Sequence, residues 1–188
     1  MSKTTSMPLA NRCCSTHATR TIIFVGLALT GCVTDLVTKS LIFAWLGEPQ
    51  PGRINIYWLI EGYVGIETAL NEGALFGMGQ KMVWLFAVMS CVALLGIGYW
   101  LIWRKAGDDI VLTVTLGLIT GGILGNLYDR LGLWSNFQTY AVRDWIRLSY
   151  DHHQFVWPNF NVADSLLVCG AALLIWHSRR DPAQDPGI

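Results

Sequence analysis

The chain has 188 residues, of which 53% are hydrophobic and only 14% charged, with nine Trp and a formal net charge of zero. That length suits one domain, and the composition is too apolar and charge-poor for an ordinary soluble one. The balanced charge excludes the broad basic field of a nucleic-acid binder, and no stretch reads as an RNA- or DNA-binding motif.

A helix needs about 20 mostly apolar residues to cross the bilayer core. Residues 1–20 read as a charged leader, and the first span follows from Thr21 to about Trp45, carrying Asp35 and Lys39. Met82–Trp103 and Ile110–Tyr128 are spans without any charge. The fourth is expected from about Val156 to Trp176. Its apolar run from Ser165 is too short to span alone, so Asp164 is drawn into the membrane near one face. Arg12 and Arg20, Arg104 and Lys105, and Arg179 and Arg180 flank the spans on one side, which the positive-inside rule makes the cytoplasm. Both termini then lie inside, and residues 179–188 form a disordered tail. The segments at about 46–81 and 129–155 face outward, rich in Trp, Tyr and Phe as suits the headgroup level. All 188 residues make a single membrane domain.

The leader plus first apolar run also fits a cleavable signal peptide, and Leu29-Thr30-Gly31-Cys32 resembles a lipobox. Three further spans and the resumption of the apolar run at "LIFAWL" argue against both. Cys32, Cys91 and Cys169 lie in apolar runs and read as buried small hydrophobes; Cys13 and Cys14 are incidental. No cysteine or histidine has zinc spacing, His152 and His153 included, so neither metal nor cofactor is expected.

Ionisable groups within spans are costly and mark functional sites by default. Here they share one level, near the outer face: Asp35, Lys39, Asn126, Asp129, Asn161 and Asp164, with Asn71 and Asp144 in the outer segments. Several have structural readings. Asp35 and Lys39, acid first at i, i+4, form an ion pair that lowers the insertion cost. Asp129 and Arg130 can mark the interface, and Asn126 and Asn161 can bond between helices. Gly117, Gly121 and Gly125 form overlapping GxxxG patterns for close helix packing. Asp144, in the amphipathic-looking stretch "AVRDWIRL", and Asp164 lack a basic partner at helix spacing. Two carboxylates in a poorly hydrated pocket share a proton, so one serves as base and the other as acid toward an amide. A proton relay or a purely structural membrane subunit are the rival readings. A relay requires ionisable groups through the full depth, whereas the inner halves are bare.

Five motifs, in order, resemble bacterial lipoprotein signal peptidase (signal peptidase II), an intramembrane aspartyl protease family. "DLVTK" at 35–39 is similar to D-x-x-[TS]-K, "NEGALFG" at 71–77 to N-x-G-A-A-F, and "GGILGNLYDR" at 121–130 to G-G-A-x-G-N-x-x-D-R. "VRDW" at 142–145 is similar to V-x-D-F, and "FNVADS" at 160–165 to F-N-x-A-D-[ST]. The departures are Leu75, Trp145 and a longer segment, "LGLWSNFQTYA", between Asp129 and Asp144. The resemblance implies an all-α membrane protein: a four-transmembrane-helix bundle with a small extracytoplasmic β-cradle from the first outer segment and a short interfacial amphipathic segment. It implies a catalytic dyad of Asp144 and Asp164. Asn71, Gly73, Asn126, Arg130 and Asn161 would line the substrate site, with Asp35, Lys39 and Asp129 supporting. It further implies a monomer in the bacterial inner membrane that cuts prolipoprotein signal peptides before a diacylglyceryl-Cys, among membrane lipid and with no nucleic acid.

Overall fold

The computed structural model describes residues 9–52, 54–73, 79, 81–103, 109–136, 138–150 and 155–180, with side chains from 17 to 179. The side chains of Arg12, Cys13, Cys14, Arg104, Lys105, His152, His153 and Arg180, residues 74–77 and the tail at 181–188 lie outside this set. In chain order the elements are α1 (Leu9–Leu46), β1 (Ile56–Ile60), β2 (Val64–Asn71), α2 (Val83–Trp103), α3 (Ile110–Arg130), β3 (Val142–Tyr150), β4 (Phe155–Phe160) and α4 (Val162–Arg180). All four helices are long and apolar enough to cross a membrane.

Two expected boundaries change. The leader is helical from Leu9, just after Pro8, because no Gly or Pro interrupts the chain between Leu9 and Gly26. The helix runs through the span to Leu46, and Gly47 ends it at φ 80°, its N–H bonded to Phe43 O at 3.0 Å. The fourth span does not start at Val156. Phe155–Phe160 is strand β4, and α4 begins only at Val162. A six-residue apolar run has no periodicity that separates strand from helix, and Pro158 within it opposes helix.

The fold is therefore not all-α. The four strands form one antiparallel sheet in the order β1-β2-β3-β4, to which the second outer segment contributes as much as the first. The stretch expected as an interfacial amphipathic segment is β3. The sheet lies where α1 and α3 end and α2 and α4 begin. Its ladder is interrupted beside the site: Ala69 faces Asp144 and Ile66 faces Ile146, so β2 carries an extra residue there.

Helix α3 is the spine. Its membrane window is 67% buried, against 6% for α2. Small residues let neighbouring backbones approach on two faces. A Cβ on Gly121 would stand 3.0 Å from Ala28 O on α1, and one on Gly122 would stand 2.6 Å from Ala163 O on α4. α3 ends in a Schellman motif, with Leu133 N–H on Tyr128 O and Gly132 N–H on Asp129 O, Gly132 taking φ 70°. At its start Asp109 caps Leu112 N–H at 3.0 Å and faces His177 of α4 at 3.3 Å, a polar link at the end that the sequence reading leaves bare.

Candidate active site

The site grows from the first turn of α4. Asn161 is its N-cap and Asp164 the third helical residue. The Asn161 Oδ1 accepts from Asp164 N–H at 2.9 Å, and Asp164 Oδ2 accepts from Asn161 N–H at 3.2 Å. This is a reciprocal capping box, with Asp in place of the usual Glu. A further first-turn donor, Ala163 N–H, bonds Asp35 Oδ1 of α1 at 2.9 Å. Asp35 is thus a cap supplied from another helix as well as an ion-pair partner, a role that helix spacing alone cannot reveal.

Asp35, Lys39, Asp129 and Arg143 form a buried, formally neutral quartet. Lys39 Nζ meets Asp35 Oδ2 at 2.6 Å and Asp129 Oδ2 at 3.2 Å, with no exposure on any of the three side chains. Arg143 closes on Asp129 Oδ1 through Nε at 3.2 Å and one terminal nitrogen at 2.8 Å. The expected i, i+4 pair is present, inside a larger network. Asp129 does not mark an interface: it is fully buried between two cations. Arg143 was not among the sequence candidates. Its only signal was its place beside Asp144 in "VRDW", since its partner lies 14 positions away.

Lys39 also donates to Asn126 Oδ1 at 2.9 Å, as does Asn161 Nδ2 at 3.1 Å. With that oxygen engaged, Asn126 turns its amino group to Asp164 Oδ1 at 2.8 Å. Asn161 Nδ2 reaches Asp144 Oδ1 at 2.6 Å, and Asn71 Nδ2 reaches Asp144 Oδ2 at 3.1 Å. The structure therefore brings Asp144 and Asp164 to one place, joined through the carboxamides of Asn161 and Asn126. Among the described residues neither carboxylate forms an ion pair. Asp144 is 2% exposed. Burial first, then the nearby Asp164 charge, pushes its pKa up to about 7, against the opposing bonds from Asn71 and Asn161.

Asn71 Oδ1 accepts from Gly73 N–H at 2.9 Å, and Gly73 O accepts from Arg130 at 3.3 Å. The Arg130 guanidinium lies 5.6 Å from the Phe86 ring centre, and its Nε is buried without a hydrogen-bond partner among the described residues. It is held inward rather than snorkelling. An apolar groove of about 370 Å³ opens beside Asp164, lined by Leu148, Trp157, Phe160, Val168 and Cys169. Chemically, the arrangement offers a paired carboxyl group able to hold one proton near neutrality, donors around it, and an apolar surface at the same level.

The family model for signal peptidase (SPase) II matches residues 27–180. The lipoprotein signal peptidase of Rhodopirellula baltica is 48% identical over 180 residues, covering 93% of this chain and 79% of that one. That of Rhodococcus jostii is 37% identical, covering 85% and 73%. A bacterial membrane enzyme solved by the in meso method at 2.3 Å resolution superposes with a TM-score of 0.71 at 25% identity, covering 88% of this chain and 92% of that one. A second such enzyme, at 1.9 Å resolution, gives 0.65 at 26% identity over 84% and 93%. Sequence profile, relatives and architecture agree along nearly the whole chain, and on that ground the chain belongs to the signal peptidase II family.

Proposed function

We propose that the protein is an intramembrane aspartyl endopeptidase. It removes signal peptides from diacylglyceryl-modified prolipoproteins, cutting the amide before the lipidated Cys with Asp144 and Asp164 as the catalytic pair. The observation that carries this reading is a buried and a half-buried carboxylate, neither ion-paired among the described residues, sharing one hydrogen-bond relay where β3 meets α4. The quartet next door neutralises Asp129 and Asp35 and leaves them unsuited to acid–base work.

With one proton between the pair, the ionised carboxylate removes a proton from water as its oxygen attacks the carbonyl carbon. The protonated partner donates to the carbonyl oxygen. Collapse of the tetrahedral species breaks the C–N bond, and a proton passes to the leaving amine, which becomes the free N-terminus of the lipidated Cys. The signal peptide leaves with the new carboxyl group. The Arg130 Nε, without a hydrogen-bond partner among the described residues, and the Asn71 amide suit the holding of substrate carbonyls in an extended strand. The apolar groove beside Asp164 suits the acylated end at the same depth. This assignment places the sheet on the outer side of the bacterial inner membrane, both termini in the cytoplasm, and the enzyme as a monomer without cofactor.

The test is cleavage of a diacylglyceryl-modified prolipoprotein by purified protein in detergent, with the unlipidated precursor as control. Wild type is expected to cut only the lipidated form. Asp144→Asn and Asp164→Asn are each expected to abolish cleavage while inserting normally, whereas Asp129→Asn, which loosens the seat of Arg143, loses yield and lowers turnover without abolishing it. Activity surviving in Asp144→Asn and lost in Asp129→Asn moves the pair; no cleavage by folded wild type ends the protease reading.

A further inference from the structure

The sheet ladder is interrupted just past Asp144. Between the pairs Ile66–Ile146 and Ala69–Asp144 the register shifts, so on the near side only the three pairs Val142–Asn71, Arg143–Leu70 and Asp144–Ala69 hold the strand to β2. Successive strand residues face opposite ways, and a one-residue slip would turn Asp144 away from Asp164. The residue just before Asp144 is tied down from the other side. Arg143 N–H bonds Asp129 Oδ2 at 3.0 Å, its guanidinium grips Asp129 Oδ1 through two nitrogens, and its remaining nitrogen reaches Ser40 Oγ of α1 at 3.3 Å.

The connection from α3 to β3 completes the grip. Trp134 places its ring 4.9 Å from the Arg143 guanidinium carbon and donates to Ala141 O at 3.3 Å; Phe43 of α1 lies 5.9 Å away on another side and meets Trp134 edge-on. Ser135 Oγ bonds both Thr139 N–H at 2.8 Å and Thr139 O at 3.0 Å, so the connection is braced internally. The segment "LGLWSNFQTYA", the longest departure from the family pattern, thus supplies an aromatic wall for a guanidinium 3% exposed.

We propose that Arg143 is a positioning residue for Asp144. Seated between Asp129 and the Trp134–Phe43 wall, it pins β3 in register onto α3, so that the next side chain is delivered to the relay at Asn161. Planarity matters as much as charge: a guanidinium that sets two N–H groups on one carboxylate oxygen beside an aromatic ring is not replaced by an ammonium. The inference rests on the assignment of Asp144 as a catalytic group.

The experiment measures kcat and KM of Arg143→Met, Arg143→Lys, Arg143→Ala and Trp134→Leu on the lipidated prolipoprotein, normalised to monodisperse protein. Lys39 meets Asp129 at 3.2 Å independently of Arg143, so Arg143→Met and Arg143→Ala remove one cation of the quartet and not its core. A displacement of the order of 1 Å at a catalytic group costs roughly 100-fold. Arg143→Met and Arg143→Ala are expected to lose about 10- to 100-fold in kcat with KM held within about twofold. Arg143→Lys is expected to stay well below wild type, and added methylguanidinium to restore part of the activity of Arg143→Ala. Unchanged kcat in Arg143→Met, or full rescue by Arg143→Lys, overturns the proposal. If Arg143→Met does not fold, Trp134→Leu decides: a fall in kcat at constant KM supports it, and wild-type kinetics overturn it. Wild-type cleavage with an inactive Asp144→Asn shows separately that the protease reading stands, so failure of one is distinguishable from failure of the other.

Discussion

Gly125→Ala tests the link between helix packing and the site. A Cβ at this position on α3 would lie 2.4 Å from Asp35 Oδ2 and 3.0 Å from its Cγ. That is roughly 1 Å inside ordinary contact, so Asp35 must move. Movement breaks its 2.6 Å contact with Lys39 and its 2.9 Å cap on Ala163 N–H. Overpacking costs about 1–3 kcal/mol and a lost cap about 0.5–2, while replacing a helical Gly by Ala returns about 0.5–1. The net loss is about 0.5–4.5 kcal/mol, centred near 2.5, which corresponds to a fall in thermal midpoint of roughly 5–10 °C at the centre of the range for a chain of this size. Gly96→Ala on α2 is the control. A Cβ there meets nothing within 4 Å, so only the helix-propensity gain remains. Both are measured by thermal unfolding in one detergent, alongside cleavage per folded molecule. A Gly125→Ala protein melting within about 2 °C of wild type would refute the steric argument, because the backbone would then have absorbed the clash without cost.

Two further outcomes are expected. Asp35→Asn keeps an acceptor for Ala163 N–H but leaves Asp129 as the one carboxylate on Lys39 among the described residues, so stability falls by about 3 kcal/mol, the low end for a broken buried pair, while turnover per folded molecule changes little. A folded Asp35→Asn that does not turn over would refute its supporting role. Asp144, raised from 3.8 to about 7 by burial and then by Asp164, binds its proton more tightly folded than unfolded. Its contribution to stability is complete below about pH 4 and is lost as pH rises through 7, at most about 4 kcal/mol across that window. The difference in melting between wild type and Asp144→Asn should therefore change between pH 4.5 and 8, and kcat/KM should fall above about pH 7 as the shared proton leaves. A pH-independent difference refutes the raised value.

The apolar runs made the helices legible, because bilayer thickness turns composition into length. The site was legible for a related reason: polar residues at one depth of a membrane protein have few places to go. Short-range rules placed α3 within two residues of its end. They misplaced the start of α4, although Asn161 and Asp164 already carried the capping pattern, because Val156–Phe160 continued the apolar run. Arg143 stayed hidden because a pairing from β3 back to α3, 14 positions away, leaves no mark in local periodicity. The joint use of Asp35, as ion-pair partner and as cap for another helix, was equally invisible: one carboxylate has two oxygens, and spacing explains only one.

The two faces of α3 that lack side chains set what the chain can vary. Where backbones touch across Gly121 and Gly122 there are no rotamers to rearrange, so an added methyl is transmitted to α1 or α4 instead of being absorbed. α2 meets its surroundings with long outward side chains such as Leu95 and Ile102, which need only be apolar. Substitution tolerance should split accordingly. α2 drifts freely among hydrophobes of any shape, and α3 is held to atomic volume, one position at a time.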